Sequence, residues 1–337
     1  MRKRDFDRFF SVRAWRVCIH HGAGAVRIGP VFGLPEISRK RYKLSKEELI
    51  GGYGVPSVTR RAWRLLDNRT PMPSLPARSA PAPTSAANLV VSIVSHGHGA
   101  LVQALLQAMA QRCAASVARV VLTLNLPEAP PRAPAAGWPF VLELRCNALP
   151  AGFGTNHNRA LAGAPEAFVC VLNPDVALLP DGADPFAALV QAAGMRGVGC
   201  AYPLQVDTQG RVQDSARALP TLVALWQRRV RRRGEQRLDW VNGACLVLPS
   251  PVWAALGGFD EGYHMYCEDV DLCLRLRLAG WGLVGAAAVV VHAGDRASRR
   301  AWRPLWWHVR SLLRLWASPV FWRARGLPSL QGAVRPE

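Results

Sequence analysis

Between Leu89 and Tyr202 the sequence alternates two kinds of segment. "LVVSIVS" (89–95), "ARVVLTLN" (118–125), "FVLELRC" (140–146), "AFVCVL" (167–172) and a run at 197–202 are short, apolar and rich in β-branched residues. Strands that read this way are buried on both faces, as in a parallel sheet. "ALVQALLQAMAQRC" (100–113), "GTNHNRALAGA" (154–164) and a stretch near 184–194 read as helices between them. The alternation predicts a doubly wound α/β sheet flanked by helices. Ligands of such sheets bind beyond the carboxyl ends of the strands. The polar residues that end each run are therefore the candidates: Ser95 and His96, Asn125, and the tripeptide Asn173-Pro174-Asp175. Asn, Pro and Asp are also ordinary turn formers, so that tripeptide alone leaves a plain turn open.

The second half is less regular. Residues 204–239 are polar and irregular, with "RRVRRR" at 228–233. "WVNGACLVLP" (240–249) reads as one strand, followed by a helix with Ser250 as N-cap and Pro251 in the first helical position. "GLVGAAAVVVHAGD" (282–295) reads as a strand that delivers His292. Residues 301–325 carry five tryptophans and several arginines and read as a helical tail. Its leucines, tryptophans and arginines suit the headgroup region of an anionic membrane surface, with packing on the main domain as the alternative.

Composition divides the chain again. All four lysines lie in the first 46 of the 337 residues. Residues 1–71 hold 16 basic and 6 acidic side chains without a sustained helical or strand period. "PMPSLPARSAPAPTSAAN" (71–88) has the makeup of a flexible linker. The expected organisation is a basic extension and linker over 1–88, a main domain over 89–300 and a tail over 301–337. Residues 1–71 are either a small extension or lie ahead of a true start at Met72, and no function is assigned to them.

The net charge of +19 fits nucleic acid, an acidic membrane surface or phosphate-bearing substrates. No nucleic-acid-binding motif is present, so nucleic acid is not an expected partner. The eight cysteines form no C-x-x-C pair and read as buried free thiols, which points to the cytoplasm. "MRKRDFDRFFSVRAW" has no apolar run behind its basic head, so it does not read as a signal peptide. The apolar run at 283–291 is too short to cross a bilayer.

Within this basic chain, five carboxylates fall in the twelve residues from Asp260 to Asp271. "EDVDLCLRLRLAG" (268–280) predicts a helix with acidic residues in its first turn and Gly280 at its end. Asp271 and Arg275 are then four apart on one face, while Glu268 and Asp269 face the crevice. The strict alternation of "LCLRLRL" also fits a strand. "GACLVLPSPVWAALGGFDEGYHMYCEDVDLCLRLRLAGW" (243–281) resembles the hallmark block of inverting family-2 glycosyltransferases, particularly the rhamnosyltransferase-like group. "AGFGTNHNRAL" (151–161) resembles the family's Gly-Phe-Gly…Asn segment, and "VLNPDV" (171–176) its short metal-binding motif. The three occur in the family's order across residues 89–295.

The resemblance implies a GT-A fold with a Rossmann-like, mostly parallel sheet, and makes 89–300 the catalytic domain, with a nucleotide-binding half (89–203) and an acceptor-binding half (204–300). It also implies transfer of a sugar from a nucleotide diphosphate donor to a glycan or lipid-linked acceptor in cell-surface polysaccharide assembly. A divalent cation, Mg²⁺ or Mn²⁺, would neutralise the departing diphosphate, held by Asp175 and His292. Asp269 takes the place of the base and Glu268 that of its support. Ser95, His96, Asn125, Asn158, Asn173 and Asp175 fall to the nucleotide sugar; Trp240, Gly243 and Tyr266 fall to the sugar and acceptor pocket. His157 is expected on a helix surface. The implied donor is dTDP-rhamnose; the alternatives are a UDP- or GDP-hexose, or a nucleotide-sugar-binding module without turnover. The protein is expected in the cytoplasm, peripheral at the inner face of the membrane.

Overall fold

The computed structural model describes residues 87–179, 182–226, 238–293 and 302–329. Most of the expected extension and linker, and the basic run at 228–233, lie outside the described residues. The elements are β1 (Leu89–Ser95), α1 (Gly99–Arg112), β2 (Val117–Leu124), β3 (Val141–Cys146), α2 (Phe153–Leu161), β4 (Phe168–Leu172) and β5 (Val176–Leu178). There follow α3 (Pro185–Ala193), β6 (Val198–Val206), β7 (Ala216–Arg217), α4 (Leu222–Trp226), β8 (Trp240–Val241) and β9 (Cys245–Pro249). The last are α5 (Ser250–Leu256), α6 (Glu268–Leu278), β10 (Gly282–His292), α7 (Trp302–Ala317) and α8 (Pro319–Ala324).

Eight strands form one sheet in the order β3-β2-β1-β4-β9-β6-β10-β5. β1, β2, β3 and β4 run parallel. β9 runs against both β4 and β6, and β10 is parallel to β6. The sheet is therefore mostly parallel, as the alternation of apolar runs and helices predicts. The chain steps outward from β1 to β2 and β3, then returns to place β4 on the other side of β1. That reversal is a switch point, where the connections leaving adjacent strands part and open a crevice.

Side-chain parity along the strands explains their unbroken apolar runs. Leu89, Val91 and Ile93 of β1 pack in one core with Leu106 and Met109 of α1 and Phe186 and Leu189 of α3. Val90 joins a second core on the opposite face, with Leu161 of α2, Leu272 and Leu276 of α6, and Phe321 of α8. Both faces are covered, so neither parity carries a polar residue except by design. Ser92 is such an exception: its hydroxyl meets the buried His157 Nδ1 at 2.8 Å. The seven described cysteines are free; all are buried except Cys146.

Three local expectations are corrected. "WVNGACLVLP" is two strands, because Asn242 and Gly243 turn the chain between β8 and β9. Asn-Gly is turn chemistry, and the Asn242 side chain is held by Gln205 at 2.6 Å. Ser250 begins α5 without capping it: its hydroxyl donates to the Glu166 carbonyl, and Pro249 occupies the cap position. Residues 204–239 are not wholly irregular, since they hold the end of β6, β7 and α4.

The tail is built into the domain. Arg314 of α7 donates to Asp260 at 2.7 Å and lies over the Tyr263 ring. Ser311 donates to the Met265 carbonyl at 2.8 Å, and Trp316 Nε1 to the Pro220 carbonyl at 2.9 Å. Arg277 of α6 holds Asp239 at 3.0 Å and the Pro328 carbonyl. Among the described residues no helix is long and apolar enough to cross a membrane.

Candidate active site

A cleft of about 520 Å³ opens at the carboxyl ends of the parallel strands. Because β9 runs the other way, its beginning, not its end, reaches this side. The loops after β1, β2, β4 and β10 thus converge on Asn242-Gly243-Ala244 and on the first turn of α6. The cleft brings together His96, Asn125, Asn173, Asp175, Trp240, Gly243, Tyr266, Glu268, Asp269 and His292 from distant parts of the chain.

One end of the cleft is built on the tripeptide after β4. Val176 N–H donates to the Asn173 carbonyl, so the segment is a turn that also aims a carboxylate. Asp175 Oδ1 and Asn173 Oδ1 are buried without a partner. Asp175 Oδ2 lies 3.3 Å from His292 Nε2. Gln213 determines which nitrogen of that ring holds the proton. Its Nε2 donates to the His292 carbonyl at 2.8 Å, so its Oε1 must face Nδ1, at 3.2 Å. Nδ1 therefore carries hydrogen, and a neutral His292 presents a lone pair to a carboxylate oxygen. Two acceptors at that distance need a proton or a cation between them. Burial pushes the Asp175 carboxyl up, but His292, a backbone N–H and His98 outweigh it and hold the group below its ordinary range.

Among the described residues no three His, Cys, Asp or Glu gather as a closed metal site. Asp175 and His292 offer two protein ligands with unshared electron pairs. That donor set fits Mg²⁺ or Mn²⁺, which take few protein ligands and complete their shell with phosphate oxygens and water. Gln213 supplies the kind of outer hydrogen bond that would orient His292 as a ligand.

The other end is the start of α6. Tyr266 (φ 72°) and Cys267 (φ 66°) are consecutive non-glycine residues in the left-handed region. Such backbone is costly for L-residues and persists only where packing imposes it. It swings Glu268 and Asp269 into the cleft at the helix N-terminus. Asp269 Oδ1 accepts from Val270 N–H at 2.8 Å and Oδ2 from Gly243 N–H at 3.1 Å. Burial raises the Asp269 carboxyl above its ordinary value, against those N–H groups and the charge of Arg217. Glu268 is pushed up to about 8 by burial first and by the Asp269 charge second, and its Oε2 has no partner. Two buried carboxyls side by side, both raised, favour holding one proton between them. Asp271 is engaged away from the cleft. It pairs with Arg275 at 2.6 Å, and Arg275 also holds the Leu256 and Gly258 carbonyls.

Several expected site residues lie elsewhere or are already engaged. Ser95 is buried and accepts from His98 N–H at 3.1 Å, behind the cleft wall. Asn158 is outside the cleft: it donates to the Phe259 carbonyl and accepts from Phe259 N–H, both at 2.8 Å. It also leaves no space for a Cβ at Gly258, where φ is 67°. His157 is not on a helix surface but fully buried, and desolvation lowers it to about 3. Asn125 reaches the cleft with its amide already used: Nδ2 lies 3.1 Å from His96 Nδ1 and donates to the Ala151 carbonyl, while Oδ1 accepts from Ala151 N–H and Asn147. The cleft asparagine of "GTNHN" is Asn156, linked to Asn147 at 2.7 Å. Two residues apart on a helix are roughly 200° apart, so Asn156 and Asn158 cannot share a face. Arg217, Gln213 and His308 were also missed. Arg217 lies over the Trp240 ring, and His308 over the Tyr266 ring at 4.5 Å.

No family profile matches the sequence. Over 219 residues the chain is 32% identical to an N-acetylglucosaminyl-diphospho-decaprenol L-rhamnosyltransferase of Mycobacterium tuberculosis, covering 53% of this chain and 71% of that one. The chain belongs to the family-2 glycosyltransferases, in the rhamnosyltransferase-like group. Rhamnosyltransferase WbbL of Escherichia coli is a further relative, 27% identical over 209 residues, 55% of this chain and 77% of its own. Among solved structures, GalNAc-T7 with UDP, GalNAc and Mn²⁺ matches with a TM-score of 0.51 at 15% identity, over 72% of this chain and 52% of that one. That likeness shows the GT-A fold. The cleft at the sheet's switch point is thus the glycosyltransferase's candidate active site.

Proposed function

We propose that the protein transfers L-rhamnose from dTDP-rhamnose, with inversion, to a lipid-linked glycan acceptor in cell-surface polysaccharide assembly. The observation that carries this reading is the division of one cleft between two chemistries. Asp175 and His292 stand at one end with unshared electron pairs, and Asp269 and Glu268 stand at the other. The named activities of the two relatives support rhamnose as the sugar.

The chain's residues divide the work accordingly. Asp175 and His292 would hold Mg²⁺ or Mn²⁺, which when bound offsets charge on the departing diphosphate. Gln213 keeps the His292 ring in the tautomer that leaves Nε2 available. Asp269 takes the acceptor hydroxyl's proton as the acceptor oxygen bonds the anomeric carbon. The bond from that carbon to the diphosphate oxygen breaks, and its electron pair leaves with the diphosphate. Attack opposite the leaving group inverts the centre. Glu268, protonated, leaves Asp269 as the charged member of the pair. Trp240, Met265 and Tyr266 give the cleft an apolar wall suited to the methyl group of a 6-deoxy sugar. Tyr263, three residues before Tyr266, is buried beneath Arg314 and takes no part in that wall.

An apolar wall rejects an added hydroxyl by only about 10²-fold, so donor choice needs direct comparison. Calorimetric titration with dTDP-rhamnose, UDP-glucose, UDP-galactose and GDP-mannose tests it. dTDP-rhamnose is expected to bind tightest; tighter binding of a UDP- or GDP-sugar would replace the donor and leave sugar transfer standing. Residues 89–300 are proposed as the catalytic domain, acting at the cytoplasmic face of the membrane. Helix α7 adds to it, since His308 and Leu312 form part of the cleft wall.

A further inference from the structure

Helix α7 presents two unlike faces. Leu315 is fully buried against the domain, Ser311 is bonded to it, and His308 and Leu312 line the cleft. On the other side Trp306, Val309 and Leu313 are 65%, 42% and 58% exposed. Their spacing of three and then four residues forms one stripe along the helix. Trp322 of α8 is 56% exposed and bonded through Nε1 to the Trp316 carbonyl, beside the end of α7. Single exposed apolar residues are ordinary, but two tryptophans, a leucine and a valine on one helix pair form a patch. Arg310, Arg323 and Arg325 are exposed around it, with the Arg325 guanidinium 4.9 Å from the Trp322 ring centre. No aspartate or glutamate occurs from residue 296 to 336.

We infer that the outer face of α7 and α8 seats on an anionic lipid bilayer, with the tryptophans at headgroup depth and the arginines on lipid phosphates. Charge complementarity selects this occupant: the patch is apolar at its centre and cationic at its rim, and its two helices carry no carboxylate of their own. The geometry adds a reason. The inner face of the same helix is cleft wall, so seating α7 brings the cleft to the bilayer surface, where a lipid-linked acceptor carries its sugar. The inference takes from the proposed function only the lipid-linked acceptor.

Flotation of the full chain with vesicles tests it. The native chain is expected to float with phosphatidylglycerol–phosphatidylcholine vesicles at low salt, and far less with phosphatidylcholine alone. Trp306→Ser with Leu313→Ser is expected to weaken partitioning about tenfold or more, as loss of buried apolar area requires. Donor affinity should be unchanged, which also shows that the variant is folded. Arg310→Gln with Arg323→Gln should reduce the preference for anionic vesicles independently. Absence of the native chain from the anionic fraction would overturn the inference. So would equal binding to neutral vesicles. Native-like flotation of the Trp306/Leu313 variant would overturn it too, and would move attachment to the basic residues 1–71. Flotation is read without sugar transfer, so its failure leaves the transferase reading intact, and the reverse holds as well.

Discussion

His292 Nε2 faces Asp175 Oδ2 across 3.3 Å, and Gln213 has already claimed the proton of the other ring nitrogen. In the proposed metal site the pair would be prepared for a cation by a residue bonded to the ring and not to the carboxylate. Replacing Gln213 with Leu should raise the Mg²⁺ or Mn²⁺ concentration needed for half-maximal activity about 10–100-fold, as loss of an outer-sphere partner does. Turnover at saturating metal should be largely retained. Metal titration of initial rates checks both, and an unchanged half-saturation point would remove Gln213 from the site. Asp175→Ala should abolish the metal response, and excess chelator should silence the native enzyme.

Asp269→Asn keeps the size of the side chain and removes its basicity. Transfer should fall by about 10²–10⁴-fold, while calorimetric affinity for the donor stays close to native. Retention of more than about a tenth of normal turnover would assign the base elsewhere.

Glu268 ties stability to pH. Its folded value of about 8 lies above the ordinary 4.5, because burial and the neighbouring Asp269 charge favour the neutral form. The folded state therefore binds more protons than the unfolded chain between those values, and stability must fall as pH rises through that window. The favourable contribution is complete below about pH 4.5 and lost above about pH 8. Thermal midpoints of the native chain and of Glu268→Gln, compared across this range, should diverge toward high pH, with the variant less affected.

Asn158 holds both the N–H and the carbonyl of Phe259. Asn158→Ala strands two backbone groups and should cost about 1–3 kcal/mol. That amounts to a drop of several degrees in the thermal midpoint. Donor affinity should be unchanged; a large loss of affinity without loss of stability would restore the nucleotide-binding role expected from its motif.

How far the sequence could be read depended on the kind of signal. Strands buried on both faces advertise themselves, because parity in β1 serves two cores and every position is apolar except Ser92 and Ser95. The helix at 268–278 was legible from its acidic first turn and from Gly280, although "LCLRLRL" alternates like a strand. Tertiary packing decided the difference, since Leu272, Leu274 and Leu276 are all buried against neighbours. Asn156 against Asn158 could have been separated by helical phase, but not without knowing which face meets β1. Gln213 and Arg217 had no local signal. Each sits in a polar stretch whose importance comes from a pairing across the chain, to His292 in one case and over Trp240 in the other. His157 was misjudged because a buried histidine next to polar residues looks like a surface one until Ser92 is placed opposite it.

The position of β9 bears on how the protein is made. It is the strand between β4 and β6, yet it is complete only at Pro249, well after both neighbours have left the ribosome. Until then β4, apolar along its whole length, offers an unpaired border to whatever is near, and β6, whose sheet neighbours β9 and β10 both come later in the chain, has no strand to join it. The nascent chain thus passes through a stage of roughly 80 residues, at ordinary synthesis rates several seconds, in which a chaperone or a premature partner can reach that border. Slow steps and losses to aggregation should accordingly respond most to substitutions in 245–249, the last strand needed to close the gap.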